Sequence, residues 1–295
     1  MKCVIDPNLS KKAAFQTALL ACDRLRRNGA ALCMPAHLSE PFSAVPDIRF
    51  LPYDTLFADA DFAIAIGGDG TILRCAEKNL AHSLRTKTHP AKIVGINTGT
   101  LGFLAAFEAN EIDMLDRLCT GEYAITKRMM LKTRIRTDAD AAAPVHALND
   151  IYASRANGRI GDFAVAVDGH EIGVYRADGI IFSTPTGSTA YALSAGGPVM
   201  EPDLSLIEMN LICPHSLFAR PMLFAPHREI CVTYRGAGGG GLSVFVDGEK
   251  NAVLRNMQSF TVTCSELVMP FVDCKGHAFY DALNGKLMQP LKRSE

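Results

Sequence analysis

The chain has 295 residues, of which 48% are hydrophobic and 21% charged, a composition typical of a globular protein long enough for two domains. Its 31 acidic and 30 basic residues nearly cancel, which excludes a general electrostatic attraction to nucleic acid or to a membrane surface. No apolar run reaches the ~18 residues that span a bilayer. The nine cysteines form no CxxC pair, which favours reduced thiols, and we expect a cytoplasmic protein without nucleic-acid or membrane partners.

The first 124 residues alternate short apolar strands with helical patterns. "CVID" predicts a strand, and the helical pattern after it ends at Gly29. Farther on, "DFAIAIGG" and "KIVGINTG" predict two strands with the helix "TILRCAEKNLAH" between them. Such alternation predicts a Rossmann-like parallel sheet covered by helices. We assign residues 1–124 to this N-terminal α/β domain and expect a C-terminal helix in "HAFYDALNGKLM" to return to it with residues 272–295.

After residue 124 the pattern changes to alternating, β-branched segments that Asp-Gly or glycine turns separate, such as "DFAVAVDGHEIGVYRADGIIFST". A succession of strands of this kind predicts a C-terminal β-rich, sandwich-like domain over residues 125–271. The glycine run in "RGAGGGGLS" predicts a mobile hairpin tip.

The loop "GGDGT" follows the strand "DFAIAI", and Gly67, Gly68 and Gly70 would let backbone N–H groups approach a phosphate at the start of a helix. Asp69 contradicts a simple phosphate site, because at about 4 Å and an effective dielectric of about 20 two like charges repel by about 4 kcal/mol. No lysine follows the last glycine, as it would in a P-loop. Either Asp69 or Thr71 is the N-cap of a tight turn, or the carboxylate faces a metal ion or a hydroxyl whose proton it accepts.

Three further segments carry polar groups suited to a ligand. "INTGTLGFL" places Asn97 and Gly99 after a second strand, so that both glycine loops follow strand carboxyl ends, where α/β sheets bind ligands. "STPTGSTAYALSAGGP" concentrates hydroxyl groups beside Tyr191, whose ring offers a flat face for a base, and it predicts a polar ligand. Asn149 and Asp150 can bind a base edge and a ribose diol, or they only form the turn at the start of a strand.

Together and in this order, "GGDGT", "INTGTLGFL", "ALND", "RADG" and "STPTGSTAYALSAGGP" resemble the motifs of the bacterial NAD kinases. The resemblance covers most of the chain from about residue 60 onward. A GGDG loop is shared with lipid kinases and phosphofructokinases, whereas "TPTGSTAY" combined with "NTGTLGF" is specific to NAD kinases. The resemblance implies transfer of the γ-phosphoryl of ATP, or of polyphosphate, to the 2′-hydroxyl of the adenosine ribose of NAD. It also implies Mg²⁺ or another divalent metal and a homodimer or homotetramer.

The resemblance assigns roles to the matching residues, with Asp69 as the acceptor of the 2′-hydroxyl proton. The other implied NAD contacts are Gly70, Arg74, Phe103, Asn149, Asp150, Arg176, Asp178, Thr189, Ala190, Tyr191 and Ser194. We expect the glycine loops to bind the ATP phosphates through Gly67, Gly68, Gly70, Thr71, Asn97 and Gly99. No protein side chain is assigned to the metal. Asp150 stands where many members have glutamate, and Ala177 where glycine is frequent, and the shorter carboxylate still suits a ribose diol.

Two other functions stay open at this point. A lipid or sugar kinase could use the same GGDG loop, although the hydroxyl-rich segment argues for a nucleotide. A non-catalytic NAD(P)-sensing module would keep the pocket and lose the chemistry, and the intact Asp69 argues against it. A dehydrogenase is disfavoured, because no GxGxxG with a downstream ribose-binding acid is present.

Overall fold

The computed structural model describes residues 1–136, 143–155, 160–236 and 241–287. The chain divides into two compact units, Met1–Lys127 with the described chain from Met269 onward, and Arg128–Val268. The boundaries at 124 and 272 that we drew from the sequence stay predictions of the domain limits. Most of the predicted glycine hairpin tip, residues 237–240, lies outside the described residues, as do residues 288–295 of the predicted C-terminal return.

The first unit begins with six strands: β1 (Lys2–Pro7), β2 (Ala31–Pro35), β3 (Ile48–Leu51), β4 (Phe62–Gly67), β5 (Lys92–Asn97) and β6 (Phe107–Glu108). Its helices are α1 (Lys12–Arg27), α2 (Tyr53–Leu56), α3 (Asp69–Thr86) and α4 (Asp116–Thr120), with 3-10 turns at Ala36–Leu38 and Ala109–Leu115. The strands are parallel and adjoin in the order β3-β2-β1-β4-β5, and β6 pairs with β5. The predicted parallel α/β sheet is confirmed.

The sequence pattern explains these elements. Every residue of β4 is buried, as expected for a central parallel strand covered on both faces. The buried residues of α1 recur at three- and four-residue spacing, from Ala14 to Leu25, and so form one stripe against the sheet. Because β1 lies between β2 and β4, the chain leaves β1 toward one edge of the sheet and later returns to its other side. The carboxyl ends of β1 and β4 therefore form the topological switch point at which such sheets bind ligands.

The second unit is built almost entirely of strands, and two of them, β7 and the last one, continue into the first unit. The strands are β7 (Ala124–Arg136), β8 (Val145–Ala147), β9 (Asp150–Arg155), β10 (Gly161–Val167), β11 (His170–Ala177), β12 (Gly179–Ser183), β13 (Ile207–Ile212), β14 (Met222–Phe224), β15 (Ile230–Tyr234), β16 (Leu242–Val246), β17 (Glu249–Leu254) and β18 (Ser259–Asp273). A 3-10 turn at Thr186–Thr189 precedes the short helix α5 (Tyr191–Ser194).

Two antiparallel sheets, β14-β13-β12-β9-β16-β17 and β11-β10-β15-β18, share one apolar core in this unit. Phe182 of β12 and Phe260 of β18 meet edge to face there, with ring centroids 6.2 Å apart. Asp168-Gly169 and Asp247-Gly248 form the hairpin turns of β10-β11 and β16-β17 with positive φ at both residues. The predicted β-rich, sandwich-like architecture is confirmed.

The described chain ends in the first unit with the helix α6 (Ala278–Lys286). The end of β18 pairs with β5 through Phe271 and Ile93, and the ring of Phe279 in α6 lies 6.1 Å from that of Phe103. None of the helices in the described ranges combines the length and the apolar character that a membrane span needs.

Candidate functional site

An open cleft lies in the first unit at the carboxyl ends of β1 and β4. Its volume is about 360 Å³, and it is lined by Asn8, Lys11, Gly68, Asp69, Gly70, Thr71 and Arg74. The first two residues belong to the turn between β1 and α1, and the others to the "GGDGT" loop and the first turns of α3. The cleft therefore occupies the switch point of the sheet, and four of the predicted loop residues line it.

The N-cap of α3 is Gly68, in an extended conformation and without a side-chain cap, and Asp69 is the first residue of the helix. The interpretation of Asp69 or Thr71 as the N-cap is therefore wrong. Thr71 is buried beneath the loop, where its Oγ1 accepts a hydrogen bond from the Asn8 amide at 3.2 Å. A Cβ at Gly67 would lie 2.3 Å from this oxygen, so the close approach of the loop to α3 requires glycine there.

The Asp69 carboxylate holds the second glycine-rich loop. Its Oδ2 accepts a hydrogen bond from the backbone N–H of Phe103 at 3.0 Å, and its Oδ1 accepts one from Leu104 at 3.2 Å. A Cβ at Gly102 would lie 2.2 Å from Oδ1, so the absence of a side chain there is what lets the carboxylate reach these amides. The sequence predicted neither contact, because they join residues 34 and 35 positions apart.

Lys286 of α6 approaches the same carboxylate. Its Nζ lies 3.8 Å from Asp69 Oδ2 and 4.6 Å from the centre of the Phe103 ring. Because the Asp69 side chain is still 35% exposed, it remains accessible to a ligand despite these partners. The sequence predicted a C-terminal helix in "HAFYDALNGKLM" but did not single out Lys286.

Asn97 and Gly99 lie in the second loop, and Asn97 shapes it from within. Asn97 is buried, its amide donates to Glu108 Oε2 at 2.7 Å, and its Oδ1 accepts from the N–H of Gly99 at 3.3 Å. The structure thus gives the Asn97 side chain intramolecular partners. Its predicted phosphate contact stays a prediction, as does that of Gly99.

Lys11 is a cation at this cleft that sequence reasoning missed. Its Nζ lies 2.7 Å from where a Cβ of Gly68 would be and 3.2 Å from where one of Gly99 would be. The ammonium group therefore lies against the backbone of both loops. In the sequence, Lys11 stands three residues after Asn8, in the turn that follows β1. It could not be recognised by the P-loop pattern, because that pattern places its lysine directly after the last glycine.

In the second unit, Asp247 organises the predicted Asn149-Asp150 pair. Its carboxylate accepts hydrogen bonds from the backbone N–H groups of Leu148, Asn149 and Asp150 at 2.7, 2.7 and 3.0 Å. Burial, and secondly the charge of Asp247, raises the pKa of Asp150 to about 7. The Asn149-Asp150 pair is thus a fixed turn at the start of β9, which the sequence allowed as one of its two interpretations.

Part of the hydroxyl-rich segment is structural, contrary to the expectation that its hydroxyls serve a ligand. Thr184 donates its backbone N–H to Asn149 O at 2.9 Å and its hydroxyl to Leu148 O at 2.6 Å, and Ser188 donates to Pro185 O at 2.7 Å. Both side chains are fully buried, as is Ser183. These bonds tie the segment to the Asn149 turn.

The predicted ligand residues of this segment are the accessible ones. Thr189 and Ala190 are half-buried, and Tyr191 and Ser194 are exposed. The Tyr191 ring packs edge to face with Tyr152, with centroids 5.0 Å apart, and the residue is still 39% exposed.

Arg176 and Asp178 lie at the end of β11. The Arg176 guanidinium makes two hydrogen bonds with Asp162, at 2.8 and 3.0 Å, and is exposed. Asp178 is the single residue between β11 and β12, where the chain passes from one sheet to the other. The predicted NAD contacts of both residues stay predictions.

Glu208 of β13 is a buried acid that sequence reasoning did not consider. It is 0% exposed, and neither of its carboxyl oxygens has a hydrogen-bond partner among the described residues. A Cβ at Gly197, just after α5, would lie 2.0 Å from Glu208 Oε1. Burial raises the pKa of Glu208 to about 7.

Comparison with known proteins identifies related families and structures. Residues 51–123 match the model of the ATP-NAD kinase N-terminal domain, and residues 148–274 match that of the ATP-NAD kinase C-terminal domain. The chain is 34% identical to an NAD kinase of Symbiobacterium thermophilum over 95% of this chain and 96% of that protein. It is 33% identical to an NAD kinase of Acetivibrio thermocellus over 97% of both.

Two solved structures are similar to this one. The NAD kinase of Archaeoglobus fulgidus in complex with ATP is 26% identical, with a TM-score of 0.70 over 97% of this chain and 98% of that one. The yeast NADH kinase complexed with NADH has a TM-score of 0.89 over 100% of this chain and 90% of that one. At 22% identity the yeast structure supports the fold alone.

Replacing Gly102 by alanine should displace the Asp69 carboxylate and destabilise the fold. The added Cβ would lie 2.2 Å from Oδ1, and the two amide hydrogen bonds would be lost at a cost of about 1–3 kcal/mol of unfolding free energy. Urea denaturation measures the change. Gly70→Ala is the matched control, since its Cβ would meet nothing within 4 Å. Equal unfolding free energies of the two variants would show that Gly102 is not needed for the hydrogen bonds between Asp69 and the amides of Phe103 and Leu104.

Glu208→Gln should stabilise the protein, and more at pH 8 than at pH 5. The folded state holds the Glu208 proton up to about pH 7, whereas the unfolded chain releases it near 4.5, so Glu208 lowers stability progressively as the pH rises between these values. Thermal unfolding at both pH values tests this. The exposed Glu249→Gln should show no such difference, and a pH-independent effect at Glu208 would contradict the buried, unpartnered acid.

Proposed function

Because the chain belongs to the NAD kinase family, we propose that it transfers the γ-phosphoryl of ATP to the 2′-hydroxyl of the adenosine ribose of NAD and so makes NADP. Its relatives of about one-third identity over nearly the whole chain carry the name NAD kinase. Membership of the NAD kinase family argues against a lipid or sugar kinase, and nothing in the described residues favours that alternative.

The observation that supports this proposal best is the position of Asp69. A carboxylate at the first turn of a helix interacts favourably with the helix dipole, yet it would repel a phosphate bound to the same amides. Its exposure of 35% leaves it able to accept a hydroxyl proton. We propose that Asp69 is the general base for the 2′-hydroxyl and that the amides of the glycine loops bind the phosphates.

The expected energetic contributions follow from this division of roles. General-base help by a positioned carboxylate typically contributes 10²- to 10⁴-fold in rate, or about 3 to 5 kcal/mol. The remaining acceleration should come from the alignment of the two substrates and from positive charge at the transferred phosphoryl group. Two backbone amides fix the orientation of the Asp69 carboxylate, so it is already positioned before the substrate binds.

A divalent metal is part of the proposal, but no protein side chain is assigned as its ligand. The described residues contain no cluster of three or more His, Cys, Asp or Glu side chains that could hold a metal ion. Mg²⁺ commonly keeps several waters and binds through substrate phosphates with few protein ligands, so the phosphates of ATP would supply most of its ligands. When bound, the metal would neutralise phosphate charge.

We propose that Asn149, Asp150, Tyr191 and neighbouring residues bind NAD. Asp247 fixes the turn of the first two residues, and the exposed aromatic ring of Tyr191 suits stacking on an adenine ring. The proposed set also includes Gly70, Arg74, Phe103, Arg176, Asp178, Thr189, Ala190 and Ser194. A homodimer or homotetramer, a cytoplasmic location and the use of polyphosphate remain predictions.

Asp69→Asn should lower kcat for NADP formation by 10²- to 10⁴-fold and leave NAD binding measurable, because asparagine keeps the shape but cannot take up the proton. An NADP-specific coupled assay with NAD, Mg²⁺ and ATP measures turnover, and calorimetry measures NAD binding. Asp54→Asn is the control, since Asp54 pairs at the surface with Arg85. Full activity of Asp69→Asn would disprove the assignment, and a wild-type protein that binds NAD without forming NADP would favour a sensing module.

The KM for NAD should fall several-fold as the pH rises from 6 to 8. Asp150 has a pKa of about 7, so it is mostly neutral at pH 6 and ionised at pH 8, and the ionised carboxylate is the stronger acceptor for ribose hydroxyls. Asp150→Asn should bind NAD more weakly at pH 8 and show a flat profile over this range. A variant that keeps the wild-type slope would show that another group titrates.

A further inference from the structure

The C-terminal helix α6 packs against the second glycine-rich loop, and both belong to the first unit. A Cβ at Gly285 would lie 2.6 Å from Leu101 Cδ2, so the helix approaches the loop closely at that point. The ring of Phe279 lies 6.1 Å from that of Phe103, at an angle of 47°. The helix is therefore docked on the same loop whose amides bind the Asp69 carboxylate.

Lys286 is the last residue of α6, and its ammonium group lies between the Phe103 ring and the Asp69 carboxylate. Its Nζ is 4.6 Å from the centre of the ring and 3.8 Å from Asp69 Oδ2. A cation at this distance from an aromatic ring is attracted by the ring. The Lys286 side chain is only 29% exposed, although lysines usually extend into solvent. Among the residues that the structure describes, Asp69 is the one carboxylate within ion-pair distance of this ammonium.

The separation of 3.8 Å places Lys286 beside the carboxylate without a hydrogen bond to it. An ionised carboxylate has about four lone-pair positions. The amides of Phe103 and Leu104 occupy one position on each oxygen, so both oxygens can still accept a hydrogen bond from the hydroxyl of a substrate. Lys286 therefore acts on Asp69 through its charge and does not compete with that hydroxyl.

The charge of Asp69 is unfavourable for phosphate, and Lys286 can offset it. The carboxylate is on the first residue of α3, next to the amides that we propose to bind phosphate, where two negative groups repel each other. A positive charge 3.8 Å from Oδ2 offsets part of the field that the carboxylate exerts on an approaching phosphate. The two side chains are 29% and 35% exposed, so water screens this pair less than it screens a fully exposed one.

Two simpler roles for Lys286 differ from this one in their consequences. A lysine in the last turn of a helix interacts favourably with the helix dipole, which would stabilise α6 and leave turnover unchanged. A lysine that bound phosphate directly would do so whether or not Asp69 carried a charge. The contact with Asp69 Oδ2 instead predicts an effect that disappears when the charge of Asp69 is removed.

We infer that α6 is part of the active site and that Lys286 is a positioning residue that acts through Asp69. This inference rests on the proposed kinase function and adds one residue to it. Lys286 holds the carboxylate of the base and offsets its charge, so that the base and a phosphoryl group can lie in one cleft. The chemical step is unchanged: the 2′-hydroxyl gives its proton to Asp69, its oxygen bonds to the γ-phosphorus, and the bond from that phosphorus to ADP breaks.

Turnover and calorimetric ATP affinity of the full-length protein test this role. Lys286→Met removes the charge and keeps a long side chain, and it should lower kcat for NADP formation by about tenfold or more. It should also weaken ATP with Mg²⁺ several-fold and leave NAD affinity unchanged. Lys286→Arg keeps the charge and should restore most of both losses. In the Asp69→Asn background, Lys286→Met should change neither kcat nor ATP affinity, because the residue acts through the charge of Asp69.

Lys87→Met is the matched control, since Lys87 is an exposed lysine at the C-terminal end of α3 and so has the same relation to a helix dipole. It should leave kcat and ATP affinity unchanged. Circular dichroism and thermal unfolding show whether each variant is folded, and Lys286→Gln takes the place of Lys286→Met if the latter is not. A Lys286→Met variant that loses only thermal stability would overturn the inference. So would one that weakens ATP equally with and without the charge of Asp69.

These measurements also distinguish the inference from the proposed function. If the wild-type protein forms no NADP, and Lys286→Met weakens ATP only while Asp69 is charged, the kinase function fails and the action of Lys286 through Asp69 stands. If NADP forms normally and Lys286→Met has the kcat and ATP affinity of the wild type, the positioning role fails and the function stands.

Discussion

The first unit depends on one interaction, the two hydrogen bonds that the Asp69 carboxylate accepts from the amides of Phe103 and Leu104. They join two glycine-rich loops that follow neighbouring parallel strands, and they fix the orientation of the carboxylate. The negative charge therefore lies at the start of α3, next to the backbone amides that we propose to bind phosphate.

The sequence alone was sufficient to predict the fold class, because the patterns that specify each helix, strand and turn are local. The fully apolar β4, the three- and four-residue spacing in α1 and the Asp-Gly hairpin turns each specify an element within a few residues. The same holds for the loop glycines at the ends of β4 and β5. The sequence did not show which hydroxyls of the Ser/Thr-rich segment are structural: Ser183, Thr184 and Ser188 are buried and donate to backbone carbonyls.

The residues that sequence reasoning missed act across long separations in the chain. Asp247 binds three amides almost one hundred positions away, Lys286 approaches Asp69 from the last described helix, and Lys11 meets glycines of two later loops. A single sequence carries no information on such pairings, because a lysine or aspartate in a turn is most simply explained as a solvated residue. Only the folded backbone shows which of them meet.

The central position of β1 has a consequence for motion. A strand hydrogen-bonded on both sides and buried along nearly its whole length opens only with the global unfolding of its domain, so groups attached to its end are among the least mobile in the protein. Asp6, Asn8 and Lys11 all follow from that end. The end of β1 therefore provides a rigid reference for the loops that follow β4 and β5.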